Sequence, residues 1–116
     1  KKSNETMTQV TNYHMQTCMD AWLKCEDLLI NLFQKKISFS QKTTQVLDEC
    51  AHICFGTLEA LKNGIRNIGE VAILCVGICE ECAEVCERYN DNEFKNCANT
   101  CRECSAAFSQ LASSAI

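Results

Sequence analysis

The sequence predicts an all-α fold: an antiparallel up-down-up-down four-helix bundle with a cysteine-lined core. Three observations support this prediction. The 116 residues include no proline and only four glycines, which favours long uninterrupted helices. Most of the eleven cysteines recur at spacings of three and four residues, so they share helix faces. Short polar breaks separate four amphipathic segments, and short connections favour antiparallel neighbours.

The first helix is predicted over about residues 4–35, with Ser3 or Asn4 as its cap. Its apolar stripe contains Cys18 and Cys25, and charged and amide side chains occupy the opposite, solvated face. This periodicity of 3.6 residues is typical of a helix that packs one face against a core.

The second helix is predicted over about residues 39–62. Ser38 and Gln41 have the spacing of a capping box at its start. Gly64 is predicted to end it, because glycine tolerates the left-handed backbone that often follows a helix. The inward stripe of this helix carries Cys50 and Cys54.

The third helix is predicted over about residues 68–89, with Asn67 and Glu70 as its capping box. The fourth is predicted over about residues 91–112, opened by Asn90 with Glu93. These two helices hold seven cysteines on two facing stripes: Cys75, Cys79, Cys82 and Cys86 on the third, and Cys97, Cys101 and Cys104 on the fourth.

Folding the helices back at their connections gives a predicted register. In the last hairpin, Cys86 faces Cys97, Cys82 faces Cys101 and Cys79 faces Cys104. Folding the other connections places Cys25 beside Cys50, Cys50 beside Cys79 and Cys54 beside Cys75. One predicted layer then takes a thiol from each helix: Cys25, Cys50, Cys79 and Cys104. Trp22, Phe94 and Phe108 are predicted to be core and plug residues.

Composition narrows the functional class. The length suggests one domain, residues 1–116, and the formal net charge is -4. The sequence contains no basic patch of the kind that binds nucleic acid, and its apolar segments are shorter than a membrane span. It also contains no Gly-rich phosphate loop, HExxH motif or nucleophile elbow, so we expect no enzyme.

The thiols are better placed to share a metal ion than to form local disulfides. Helical neighbours at i,i+4 have Cβ atoms about 5–6 Å apart, whereas a disulfide needs about 3.5–4.5 Å. Soft thiolates select Cu(I), Zn(II) and iron–sulfur clusters. A long line of thiols favours many Cu(I) ions, because neighbouring sites can share sulfur. A zinc or iron–sulfur protein, a thiol redox or interaction module, and simple packing remain the alternatives.

The spacing Cys75-x3-Cys79-x2-Cys82-x3-Cys86, followed by Cys97-x3-Cys101-x2-Cys104, resembles that of the copper storage proteins. That resemblance covers the whole chain in architecture and about the last 45 residues in motif. It implies that Cu(I) ions fill the interior of the bundle, bound by thiolates. The implied ligands are Cys25, Cys50, Cys54, Cys75, Cys79, Cys82, Cys86, Cys97, Cys101 and Cys104, with Cys18 as a further candidate that packing alone also explains.

The chain departs from the family pattern at several positions. Ala21 lies on helix 1 where members often have another cysteine, Phe108 occupies the next thiol position on helix 4, and Tyr89 lies near the turn that often carries a histidine. We therefore expect a lower metal capacity. The partners to consider are a copper chaperone and a second copy of the chain. The unpaired thiols favour the cytoplasm over export.

Two other residue types could assist copper uptake. Met7 and His14 share the helix 1 stripe with Cys18, and thioether and imidazole groups both bind Cu(I). Met15, Met19 and His52 are further candidates for the same role. Methionine on a helix face is usually core filler, and an isolated histidine is usually not a ligand.

Overall fold

Four antiparallel α-helices form the fold in a computed structural model that describes residues 10–114. The helices are α1 (Asn12–Asn31, continued by a short 3-10 segment, Leu32–Gln34), α2 (Gln41–Lys62), α3 (Ile68–Cys86) and α4 (Asn92–Ser113). Each helix packs against its neighbours in sequence, and α1 also packs against α4. The described residues contain no strand. The predicted four-helix bundle is confirmed, and its extent as a single domain stays a prediction.

The first helix begins later than predicted. Val10 and Thr11 are not helical, and the backbone of Thr11 is extended, with φ -120° and ψ 171°. The Thr11 amide donates a hydrogen bond to Nδ1 of His14 at 3.0 Å, which satisfies a backbone donor at the helix start. The prediction of helix from residue 4 is therefore wrong at positions 10 and 11. The predicted caps at residues 3 and 4 lie outside the described residues.

Helix α2 is capped by Ser40 and not by Ser38. The Ser40 hydroxyl oxygen accepts a hydrogen bond from the Thr43 amide at 3.2 Å, so the helix begins two residues later than predicted. At its other end Gly64 adopts φ 69°, the left-handed backbone that was predicted there. The predicted end of this helix is confirmed at Lys62.

The start of α3 is at Ile68 as predicted, but the Asn67 side chain makes no capping hydrogen bond. Helix α3 ends at Cys86, three residues before its predicted end. At the start of α4, Asp91 is the cap in place of Asn90: a carboxylate oxygen of Asp91 accepts from the Phe94 amide at 3.1 Å. A carboxylate also suits the positive end of a helix dipole better than an amide does.

The large apolar side chains lie around and beyond the cysteines. The largest fully buried ones are Phe94, Phe108, Leu28, Leu32, Leu47 and Leu111. The predicted core positions of the two phenylalanines are confirmed. Trp22 is different, because the preceding Ala21 takes the inward position and is fully buried. Trp22 is only partly buried and packs against Phe55 of α2, with ring centroids 4.8 Å apart. The prediction of Trp22 as a core plug is wrong.

An ion-pair network crosses the outer face between α3 and α4. The guanidinium of Arg102 donates two hydrogen bonds to the Glu87 carboxylate, at 2.8 and 3.1 Å, and also binds Glu80. Ser105, which is buried, donates a hydrogen bond to the same Glu80. Bidentate contacts of this kind fix geometry more strictly than single ion pairs do. Ion pairs and hydrogen bonds thus link α3 and α4, which carry seven of the thiols, on their outer side.

Two variants test the capping assignment for α2. Ser40→Ala removes the oxygen that accepts the Thr43 amide and should lower the free energy of unfolding by about 1 kcal/mol. Ser38→Ala is the matched control and should change it by less than about 0.5 kcal/mol. Chemical denaturation of the metal-free, reduced protein measures both. A larger loss from Ser38→Ala would contradict the assignment.

Candidate metal centre

All eleven cysteines are buried in the core, and none forms a disulfide. Each has 0% of its surface exposed. The helices supply them unequally: two each from α1 and α2, four from α3 and three from α4. The stripes expected from the helical spacing therefore all face inward. This concentration of soft ligands in a dry interior is what a thiolate metal centre requires.

The thiols form four groups in which the sulfur atoms lie within 4.8 Å of one another. From the end near the start of α1 to the end near the α3–α4 connection, we name them as follows. They are quartet A (Cys18, Cys54, Cys75, Cys104), triad A (Cys50, Cys54, Cys79), quartet B (Cys25, Cys50, Cys82, Cys101) and triad B (Cys82, Cys86, Cys97).

The groups overlap and form one continuous line of sulfur. Cys54 belongs to quartet A and triad A, Cys50 to triad A and quartet B, and Cys82 to quartet B and triad B. A further contact of 3.8 Å joins Cys25 to Cys97. A thiolate can bridge two metal ions, so ions in neighbouring groups can share these three sulfurs.

Sulfur separations across the helices suit a single ion between them. The Sγ–Sγ distances are 3.6 Å for Cys54–Cys79, 3.8 Å for Cys75–Cys104, 3.8 Å for Cys25–Cys82 and 3.9 Å for Cys50–Cys101. A tetrahedral ion with metal–sulfur bonds of about 2.3 Å holds its sulfurs about 3.8 Å apart. The side chains are thus spaced for coordination without large rearrangement of the helices.

The predicted register is partly confirmed. Cys25 does lie with Cys50, Cys50 with Cys79 and Cys54 with Cys75, and the pairs Cys86–Cys97 and Cys82–Cys101 each share a group. The predicted layer of Cys25, Cys50, Cys79 and Cys104 is wrong. Cys104 groups with Cys75, and Cys82 takes the place of Cys79 beside Cys25.

The geometry of a stripe explains this difference. Successive thiols at spacings of four and three point alternately toward one or the other neighbouring helix, because neither spacing is a whole number of turns. On α3, Cys75 and Cys82 lie seven residues apart. Cys75 belongs to quartet A and Cys82 to quartet B. Cys79 lies between them and turns toward α2, where its sulfur is 3.6 Å from that of Cys54. The predicted register was counted in residues from the turn, which treats all facing pairs of cysteines as equivalent and therefore misses this alternation.

Hydrogen bonds between the thiols raise the pKa of some cysteines and lower the pKa of others. In quartet B, hydrogen bonding with Cys101, reinforced by burial, raises the pKa of the Cys25 thiol, and the same contact lowers the pKa of Cys101. In quartet A, hydrogen bonding with Cys104 raises the pKa of Cys18 and lowers the pKa of Cys54. A thiolate is stabilised by the thiols that donate to it, and these donors lose their protons less readily.

The histidines belong to the surface and the helix ends. Nδ1 of His14 accepts from the Thr11 amide, and its ring lies edge-on against Phe108, with centroids 5.3 Å apart. His52 is exposed, and its Nδ1 lies 2.9 Å from the Asp48 carbonyl oxygen of its own helix. Neither histidine joins any of the four thiol groups. Met15 and Met19 pack against the core, and Met7 lies outside the described residues.

Tyr89, which departs from the family pattern, makes several specific contacts. Its ring stacks on Phe94 with centroids 4.2 Å apart, and its hydroxyl lies 2.6 Å from the Thr43 hydroxyl. Sequence spacing carried no signal for this contact, since the partners are 46 residues apart.

Sequence comparison agrees with this arrangement. The copper storage protein family matches residues 2–113. The chain belongs to this family. An uncharacterized cysteine-rich protein of Bacillus subtilis (strain 168), YhjQ, is 26% identical over 101 residues, which cover 84% of this chain and 94% of the relative. No solved structure is significantly similar to the chain.

Family membership and the buried thiol groups together indicate a metal-binding bundle of a non-enzymatic storage family. The assignment of individual cysteines as ligands stays a prediction. Among the described helices, none is both long and apolar enough to cross a membrane.

Oxidative crosslinking tests the corrected register. Slow oxidation of the metal-free protein with diamide should join thiols of different helices, Cys54 to Cys79 and Cys75 to Cys104, because these sulfurs are within 3.8 Å. Peptide mapping by mass spectrometry identifies the bonds. A dominant Cys79–Cys104 bond would instead support the register counted from the sequence.

Proposed function

We propose that the protein stores or buffers Cu(I), binding several ions through its core thiolates. The observation that carries this proposal is the electrostatic character of the core. Among the described residues, the buried polar side chains are Thr17, Thr43, Thr57 and Ser105, and none of the buried side chains is charged. In the part of the chain that the structure describes, no cation is therefore buried beside the thiols to compensate excess negative charge.

Monovalent ions suit such a core. Each Cu(I) that replaces a thiol proton leaves the charge of the core unchanged, so the ratio of ions to thiolates can approach one without burying net charge. A Zn(II) ion bound by four thiolates carries a net charge of -2. Burying uncompensated charge is costly in a medium of low polarity. A core of eleven free, closely spaced thiols therefore favours Cu(I) over zinc.

The spacing also disfavours an iron–sulfur cluster. The four sulfurs of each quartet lie within 4.8 Å of one another, close to twice the length of a single metal–sulfur bond of about 2.3 Å. An iron–sulfur cluster places several iron and sulfide atoms between its cysteine ligands and needs them farther apart. The quartets fit one ion each more closely than one cluster each.

In this proposal all eleven cysteines are ligands. Cys50, Cys54 and Cys82 bridge neighbouring ions because each belongs to two groups, and the other eight complete the coordination. Free thiols in this number favour a reducing compartment such as the cytoplasm. A copper chaperone, which exchanges Cu(I) between thiolates, would be a chemically suitable donor.

Anaerobic titration of the reduced protein with Cu(I), against a competing chelator, tests the proposal. We expect several ions per chain, each releasing about one proton to solvent, since thiols must deprotonate to bind metal. Native mass spectrometry reads both quantities from the same spectra, because each ion adds its mass less that of the displaced protons. The thermal midpoint of unfolding should rise with loading, since the unfolded chain lacks converged ligands.

Zinc provides the matched comparison in the same assay. We expect weaker uptake, limited to the two quartets, with more protons released per ion than for Cu(I). Tight uptake of a single zinc ion together with little Cu(I), or the visible absorbance of a cluster after iron reconstitution, would contradict copper storage and favour the corresponding alternative.

A pair of variants in quartet A tests the bridging role of Cys54. Cys54→Ser removes a sulfur shared by two groups, whereas Cys18→Ser removes one that belongs to quartet A alone. Both side chains are fully buried, and both variants replace a buried thiol by a hydroxyl. We expect Cys54→Ser to lower the Cu(I) capacity by about twice as many ions as Cys18→Ser. Equal losses would show that Cys54 is not shared.

A further inference from the structure

The two ends of the sulfur line are covered differently. Beyond quartet A the packed core continues through Phe108 and Leu111, which are almost completely buried, together with Leu58. Beyond triad B, α3 ends at Cys86, and the short α3–α4 connection follows. The cover of this second end comprises the fully buried Leu32 and Phe94 and, outside them, the partly buried Tyr89 of the connection.

Tyr89 is central to the cover at the second end. It follows Cys86 by three residues, is partly buried, and stacks on Phe94, three residues before Cys97. Its hydroxyl lies 2.6 Å from the Thr43 hydroxyl and accepts a hydrogen bond from the Ser40 amide at 3.3 Å. These hydrogen bonds link the α3–α4 connection to the start of α2.

A second tie crosses the same end. Nζ of Lys35, in the α1–α2 connection, contacts the Asp91 carboxylate at 3.3 Å and also binds Glu93. Asn31 donates a hydrogen bond to Glu93 at 3.1 Å. These contacts hold the two connections side by side without involving Tyr89. Movement of the Tyr89 ring would thus leave the helix ends in place.

We propose that Tyr89 is the gate through which ions reach and leave the sulfur line, held shut by its hydrogen bonds to Thr43 and Ser40. This inference rests on the proposed copper storage function. When the ring swings outward, Cys86 and Cys97 of triad B meet an incoming Cu(I) complex. The cysteine sulfur binds the ion, its proton passes to solvent and the donor's ligand departs, with no change in oxidation state. Sharing through Cys82 then passes ions to quartet B.

Thiol labelling tests the gate without copper. Pulses of N-ethylmaleimide on the metal-free, reduced protein, followed by peptide mass spectrometry, give a rate for each cysteine. In wild type, Cys86 and Cys97 should react first. Tyr89→Phe keeps the ring and removes the hydroxyl with both of its hydrogen bonds. It should therefore speed their labelling by about fivefold or more through a shifted opening equilibrium. The rate at Cys18 should not change.

Two controls make the labelling result decisive. Phe55→Leu alters an aromatic contact on the side of the bundle and should leave the labelling of triad B unchanged. His14→Ala loosens the opposite end, where the ring packs on Phe108, and should also leave it unchanged. Earlier reaction at Cys18 than at Cys86, or an equal rise at all thiols in Tyr89→Phe, would overturn the gate. Circular dichroism confirms that each variant is folded.

Copper kinetics provide the second readout. Tyr89→Phe should load Cu(I) from a chelator complex, and yield it to excess chelator, about fivefold or more faster in both directions, with capacity unchanged. Unchanged rates would overturn the gate. Failure of the wild type to bind several ions would overturn copper storage instead, and the labelling experiment would still judge the gate.

Discussion

A thiol is small, weakly polar and uncharged when protonated, and these properties let cysteine replace larger apolar residues through the middle of this core. All eleven are fully buried, and within residues 10–114 no buried cation pairs with them. The absence of charge permits the burial, and under the proposed function it favours a monovalent ion, which adds no net charge to the core. Small side chains contribute less apolar area than leucine, so much of the packing depends on the phenylalanines and leucines around them. Metal binding then adds stability that the core alone supplies only in part.

The overlap of the four thiol groups gives the interior its particular character. Four separate sites would each need complete coordination from their own residues. Here three cysteines belong to two groups each, so ions bound as proposed would be coupled through shared sulfur. Such coupling suits a store of many similar ions better than a set of distinct structural sites, which are usually closed by four ligands around one ion. The two ends of the sulfur line also differ, since aromatic side chains at the α3–α4 connection cover one end and apolar packing covers the other.

Much of the fold was predictable because it depends on local rules. Helical stripes, the left-handed glycine at position 64 and the inward direction of every cysteine follow from spacing and backbone preference. Caps were displaced by one or two residues, because Ser38 and Ser40, or Asn90 and Asp91, are chemically similar candidates and only backbone geometry separates them. The grouping of Cys79 with α2 depends on how helices rotate against one another, which residue counting does not contain. The Tyr89 contacts join distant segments and had no local signal.

The Arg102 network on the outer face of α3 and α4 has a mechanical consequence. Directional ion pairs resist changes in the separation of these two helices, whereas α1 and α2 meet through aromatic and apolar contacts such as that of Trp22 with Phe55, which tolerate sliding. If ions enter the core as proposed, we expect the hairpin of α3 and α4 to keep its spacing, while α1 and α2 move. The seven sulfurs of that hairpin would then stay in place, and the four sulfurs of α1 and α2 would adjust to them.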